Sequence, residues 1–462
     1  MISELKVHPG DQRNRQWFQI VAILIACISS LNFGLSFGWT SPSIPNLLSS
    51  NSTIKISFEE CSYFPIIQSL CLMGTCPIVA ILVEILGRKR CALLLSVPYL
   101  ISWILIATAN STLMLNLSRL FAGIGDSSVF TVLPMYVGEI AEPNVRGLWG
   151  NMVGIGVYLG QFIINVIGAF MSIPHTAIVC ALGPTLHLIL FSFMPESPYF
   201  LLMKGREEAA RKSLQTLRWK KDVDEEFIKL ESDVKRQISE KGTLRDLFVK
   251  SVNRRALIVG CGLRAAQQFS GMPAFGVYTQ YMFEQSGSVF SKSTSSIIYT
   301  GALLLIMSSN MFLMDRYGRR LSMMLSSIGC GLTLLVLAAF CYVADNELVD
   351  VSSVRWIPLL GMVIWLLFAG SGLGLVPILM LGELFSASVK GKAINVVCIF
   401  FAASFLTSTK VFQTLANNFG LFAPFTFFGL CCVVILIFSY TCVPETKGKT
   451  LEEIQQMLRR TK

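Results

Sequence analysis

Glu84-Ile-Leu-Gly87-Arg88-Lys89 decides the fold, because it returns 231 residues later as Asp315-Arg-Tyr-Gly318-Arg319-Arg320 inside a chain that is otherwise almost continuously apolar. Two further charged signatures return with it. Glu139 with Arg146-Gly147 recurs as Glu383 with Lys390-Gly391, and Pro195-Glu196-Ser197 recurs as Pro444-Glu445-Thr446, at offsets of 244 and 249 residues. A frame of charges repeated at a nearly constant offset implies two related membrane units. Parallel repeats about an axis along the membrane normal are a known transporter plan.

The background of the frame supports this reading. Hydrophobic residues make up 53% of the 462 positions and charged residues 14%, with a mean hydropathy of +0.61, against a charged fraction of about 25% in soluble domains. A polytopic membrane protein is implied. Apolar runs of about 20 residues, enough to cross roughly 30 Å of hydrocarbon, lie near 17–39, 62–83, 91–109, 112–137, 148–171 and 176–194. A second set lies near 256–282, 296–314, 321–344, 356–381, 393–416 and 420–443. The expectation is an all-α membrane protein of twelve transmembrane helices in two six-helix bundles, 17–195 and 256–443. Residues 1–16 and 444–462 form the tails.

With both termini cytoplasmic, 32 of the 38 Lys and Arg residues fall inside, three outside (Lys55, Lys292, Arg355) and three within spans (Arg119, Arg264, Lys410). The positive-inside rule selects that orientation. The net charge of +10 then follows from topology and calls for no nucleic-acid partner. Residues 1–16 are polar and no cleavable signal pattern follows them. Of the 13 cysteines only Cys61 sits clearly in an outer segment, so no disulfide framework is read. Asn51-Ser52-Thr53 is a glycosylation sequon in the first outer loop. Asn110 lies close to the bilayer, and the Asn116 sequon lies within a span.

Residues 196–255 carry 15 basic and 11 acidic residues and read as a helical cytoplasmic linker between the bundles. Phe227, Leu230, Val234 and Ile238 form an amphipathic stripe within it that can lie on the inner ends of both bundles. Glycines within spans, such as Gly34, Gly38, Gly160 and Gly370, allow close packing or bending.

Several motifs together resemble the sugar porter family of the major facilitator superfamily: Pro134-Met-Tyr136-Val-Gly-Glu139, Pro195-Glu-Ser-Pro198, Gln267-Gln268-Phe-Ser-Gly271, Asp315-Arg-Tyr-Gly-Arg-Arg320 and Pro444-Glu-Thr-Lys-Gly-Lys-Thr-Leu-Glu-Glu-Ile454. Within it, Gly38-Trp39-Thr40-Ser41-Pro42 and Thr409-Lys410-Val-Phe412 most resemble the insect trehalose facilitators. The resemblance implies the major facilitator fold and solute movement by alternating access. It also implies a cytoplasmic gate built from Arg88, Glu139, Arg146, Glu196, Asp315, Arg319, Glu383, Lys390 and Glu445. Partly desolvated pairs at the inner helix ends bias one facing state against the other, forming as that face closes.

Gln161 on the fifth span and Gln267 and Gln268 on the seventh match positions that contact sugar hydroxyls in the resembling family. A glutamine amide donates and accepts, as a hydroxyl requires. Trp39 and Tyr278 join them as candidate solute contacts. The chain departs from the family at Pro273, where an asparagine is usual, and at Leu303, Ile378, Phe401 and Phe405; Ile378 stands where a tryptophan is usual. Tyr199 replaces the arginine usual after Pro-Glu-Ser-Pro. A buried hydroxyl that loses a partner costs about 1–3 kcal/mol, so these changes weaken a sugar site.

Proton-coupled members of the resembling family usually carry an acid in the first span; this chain has no Asp or Glu there, so the resemblance implies passive uniport rather than proton symport. Asp126, seven residues and about 10 Å along the helix from Arg119, is either a hydrogen-bonded structural carboxylate or a site for a proton or a cationic substrate. Arg119, Arg264 and Lys410 read as anchors and His187 as a packed core residue. There is no nucleotide-binding loop, metal-spaced His/Cys cluster or nucleophile elbow, so neither an enzyme nor a cofactor is expected. The reading is a monomeric facilitator of a small neutral solute such as trehalose or glucose, in the plasma membrane. Its alternatives are a non-transporting sensor or scaffold, against which the short termini speak, and a transporter of a less hydroxylated solute.

Overall fold

The computed structural model describes residues 9–460 apart from 51, 143–144, 146–148, 240–242, 314–317, 348, 386, 448 and 450. Its regular elements are all helices. Ten helical stretches among the described residues are long and apolar enough to cross a membrane. Six belong to the first half: Gln16–Leu48, Phe58–Leu86, Arg88–Ala107, Thr112–Ile140, Met152–Phe170 and Ile173–Ser192. Four belong to the second: Arg319–Asp345, Ser352–Leu384, Val389–Phe419 and Phe422–Thr441. The expected seventh span is broken. Ser251–Phe269 is followed by Gly271, whose φ of 93° only glycine adopts readily, and then by Met272–Val277 and Thr279–Gln285. The eighth, Lys292–Leu313, runs to the edge of the described residues. The architecture is two six-helix bundles with a helical linker.

The fourth and tenth spans are also interrupted in the middle. In the fourth span one stretch of α-helix ends at Ser127, next to Asp126, and a π-helical turn, Ser128–Val132, follows at once; such turns often mark functional positions. The tenth span stops at Ser371 and restarts at Val376. Non-helical backbone at membrane depth is tolerated where protein or a wet cavity satisfies it, and these breaks surround the space between the bundles.

The bundles meet unequally. One buried cluster lies in the linker-side part of the first half, around Ala22, Val83, Leu95 and Tyr136, and takes in Leu217 of the linker. The large cluster of the second half instead continues through Trp39, Phe64, Trp103 and Ile164, at the opposite end of the first. The halves therefore share a core on the face away from the linker. The first and fifth spans touch backbone to backbone: a Cβ on Gly34 would run into the Val157 carbonyl, and one on Gly160 into that of Leu31.

In the linker, Phe227 and Val234 are buried and Leu230 is partly buried, against Phe200, Leu201 and Leu214; the Ile238 side chain lies outside the described residues. The stripe thus packs on Pro198–Met203 and Glu207–Arg218, not across both bundle ends as expected. Arg218 fastens this unit to the first half by donating to the Ile140 carbonyl at 2.8 Å and pairing with Glu142 at 3.2 Å.

Candidate functional site

The duplicated charges form two copies of one arrangement, each within its own half. In the first, Arg88 Nη2 lies 2.7 Å from Glu139 Oε1, Ser197 donates to the other Glu139 oxygen, and Glu196 accepts the backbone N–H groups of Arg88 (3.0 Å) and Lys89 (3.1 Å). In the second, Arg319 Nη2 lies 3.0 Å from Glu383 Oε1, Thr446 donates to Glu383, and Glu445 accepts from the backbone of Arg319 (2.9 Å) and Arg320 (3.1 Å). Glu196 and Glu445 therefore cap the free N–H groups at the starts of the third and ninth spans, where a carboxylate also complements the helix dipole. Burial works against the charge of Glu445, but the three N–H groups of Lys447, Arg319 and Arg320 together hold its carboxyl below the usual glutamate range. Lys390 donates to the Gly382 carbonyl at 3.0 Å. Arg146, Asp315 and the sequon residue Asn51 lie outside the described residues.

Gly87 and Gly318 make the turns possible, with φ of 99° and 73°. A Cβ at either would collide with the capping carboxylate, Glu196 or Glu445. Gly87→Ala is expected to cost about 1–3 kcal/mol in backbone strain and to displace Glu196, read as a lower melting temperature of the purified protein. Gly205→Ala, also at positive φ but with open space around it, is expected to cost less.

A cavity of ≈ 470 Å³ lies between the halves, within the range of small-solute sites. Its wall reaches Pro134, Gly150 and Asn151 in the first half and Gly382 and Ile394 in the second. These are the linker-side ends of the fourth, fifth, tenth and eleventh spans. No described wall residue comes from the connections on the other face. There the halves are tied: Ser41 and Ser296 both donate to Asn165 Oδ1, at 2.8 and 2.6 Å, and Lys410 Nζ donates to Ser62 at 3.1 Å and lies 5.5 Å from the Tyr63 ring. Phe58 stacks on Tyr281 at 4.3 Å. The cavity is open toward the linker and closed opposite. This corrects the expected role of the charged frame: every described pair lies within one half, and both stand while their own face is open. Breaking such a pair leaves a buried charge uncompensated, so the pairs hold each bundle's helix ends together rather than latching bundle to bundle.

Gln161, Gln267 and Gln268 all line the cavity, as do the departures Pro273, Leu303, Ile378, Phe401 and Phe405. The Gln161 amide makes no hydrogen bond to another described side chain. Gln267 is engaged on both sides, accepting from Arg264 Nη1 at 2.8 Å and donating to the Gly374 carbonyl at 3.0 Å, which ties the seventh span to the break in the tenth. Trp39 and Tyr278 do not reach the cavity. Trp39 is wholly buried, edge to face with Phe64 and under the Arg119 guanidinium at 4.3 Å; Tyr278 stacks on Phe412 at 5.1 Å. Their chain neighbours Thr40 and Val277 face the space instead. Large rings gain more from full packing than from a half-empty wall.

Asp126 is in the wall and 2% exposed, accepting from Gln68 Nε2 at 2.8 Å and Tyr99 OH at 2.7 Å. Arg119 turns away, donating to the Ser36 carbonyl at 3.1 Å. His187 is packed as expected, stacked on Phe191 and hydrogen-bonded to Ser96. Arg264, read as an anchor, is also a wall residue, and Gln68 was not singled out at all; an amide within an apolar run was its only signal.

Residues 22–458 match the sugar (and other) transporter family. The facilitated trehalose transporter Tret1 of Culex quinquefasciatus is 34% identical over 445 residues, 95% of this chain and 86% of that protein. Tret1 of Aedes aegypti is 34% identical over 96% of this chain but 55% of its own length, so this chain spans little more than half of that relative. Among solved structures, the inward open conformation of the xylose transporter XylE from E. coli superposes with a TM-score of 0.77 at 18% identity, covering 95% of this chain and 99% of that one. The proton:xylose symporter XylE bound to 6-bromo-6-deoxy-D-glucose gives 0.74 at 18% identity over 96% of this chain and 100% of that one. The fold is that of these transporters, and the chain belongs to the sugar (and other) transporter family.

Proposed function

We propose that this protein is a facilitative transporter that moves a small neutral solute of the sugar class by alternating access, with the linker face cytoplasmic and the plasma membrane as its site. The observation that carries this reading is a solute-sized cavity between two duplicated halves, open at one face and tied shut at the other, with Gln161, Gln267 and Gln268 in its wall. The trehalose named for the relatives makes trehalose and glucose the first solutes to test. Passive transport is supported by the absence of a carboxylate from the first span. Saturable uptake of one of them into expressing cells is expected to fall at least about tenfold in Gln161→Leu and Gln267→Leu, each removing roughly one buried hydrogen bond of 1–3 kcal/mol. Unchanged uptake in both variants would remove the glutamines from the site.

A second reading, transport of a less hydroxylated solute, is favoured by the apolar side chains at Pro273, Leu303, Ile378, Phe401 and Phe405. Restoring Pro273→Asn with Ile378→Trp is expected to raise sugar uptake if the wall has drifted from a sugar site, and to leave it unchanged if the solute is of another kind.

A further inference from the structure

We propose that the cavity seats a dipolar organic solute, its cationic nitrogen against Asp126 in the first half and its anionic group against Arg264 in the second. The proposal rests on the second transport reading above and gives that solute a chemical class.

Asp126 and Arg264 are the two charged residues among the described wall residues, and they stand on opposite halves. Neither has an ion pair among the described residues. Asp126 is hydrogen-bonded by the neutral donors of Gln68 and Tyr99, and the buried Arg119 of the same span acts on it only at longer range, without an ion pair. Arg264 is 7% exposed, lies 5.0 Å from the Phe401 ring, donates to the neutral Gln267, and its Nε has no hydrogen-bond partner. Ionisable groups at membrane depth are expensive and normally face a partner or a pathway. Here the two lack partners while sharing a largely apolar wall that strengthens any charge–charge contact. A neutral sugar would leave Arg264 with no counter-ion and Asp126 with only the distant Arg119. A solute of opposite polarity at its two ends compensates both and draws the halves toward each other. The backbone supports the same assignment: the α-helix of the fourth span gives way to the π-helical turn at Ser128, two residues after Asp126, and Gln267, which Arg264 holds, is bound to the broken tenth span at Gly374.

The test uses the purified full-length protein and ligand-induced thermal stabilisation, with ω-amino acids from 4-aminobutyrate to 8-aminooctanoate as probes. Alkylamines and alkanoates of the same lengths remove one charge at a time, and glucose is the neutral reference. Stabilisation by the ω-amino acids with an optimum chain length is expected. Asp126→Asn and Arg264→Gln are each expected to weaken that response about tenfold or more, with alkylamines sensitive to the first and alkanoates to the second. Asp126→Glu and Arg264→Lys keep the charges and are expected to keep the response, which separates binding from misfolding. Stabilisation by glucose but by no ω-amino acid would overturn the proposal while leaving sugar transport standing. No ω-amino acid response in the wild-type protein would overturn it as well. Loss of stability in both neutralised variants with recovery in the double variant, independent of probe, would assign the two charges to each other and overturn it too.

Discussion

Arg88→Ala is expected to destabilise the protein by about 3–5 kcal/mol, the cost of leaving a buried carboxylate without its cation. Arg88 is 2% exposed and Glu139 14%, and Arg88 Nη1 also donates to the Val83 carbonyl at 3.3 Å. The loss therefore strikes the second, third and fourth spans at one point. Arg319→Ala removes the matching residue of the second half, where the partners are 12% and 28% exposed, so water recovers more of its cost. Thermal unfolding of the two variants in detergent is the check, with the larger drop expected for Arg88→Ala. Equal drops would mean that burial does not control the strength of the duplicated pairs.

Asn165→Ala is expected to shift the protein toward the state open on the face away from the linker. One carbonyl oxygen there accepts from Ser41 of its own half and from Ser296 of the other. Its removal takes the acceptor from both buried hydroxyls; Ser41 and Ser296 lie 3.5 Å apart, so one can still donate to the other and one is left unpaired, at about 1–3 kcal/mol, where 1.4 kcal/mol is a tenfold change in a two-state population. Cys61, wholly buried beside that closure, is a built-in reporter. Its modification by a membrane-impermeant thiol reagent is expected to quicken about tenfold in Asn165→Ala. No change would place the closure in the aromatic contacts of Phe58 and Tyr281 instead.

The fold was legible because charges stand out against apolar sequence: the repeat of Arg88 by Arg319 and of Glu196 by Glu445 announced two related bundles before any helix was placed. How those charges are used was not legible. Whether Glu196 meets a side chain or a row of backbone N–H groups depends on how the sixth span ends against the third, and sequence spacing carries no such angle. The same limit explains Trp39 and Tyr278. A helix turns about 100° per residue, so a motif locates a residue along the cavity without fixing its phase, and Thr40 and Val277 take the facing positions. The break in the seventh span, which the span reading ran through, has a mark in Gly271 and Pro273, whereas the π-helical turn after Ser127 has none. Asp126 and Arg264 could be noticed as charges in apolar runs, but only the assembled halves bring them to one wall.

The most direct test of alternating access is the reactivity of Ile378→Cys in a background without other cysteines, probed with an impermeant thiol reagent applied separately to each face of oriented vesicles. Ile378 is 46% exposed and lies in the cavity wall. Two gates that open in turn predict fast modification from the linker face and slow modification from the other, with the rates moving in opposite directions when Asn165→Ala is added. Rates that rise together from both faces would describe a continuous pore and contradict the account.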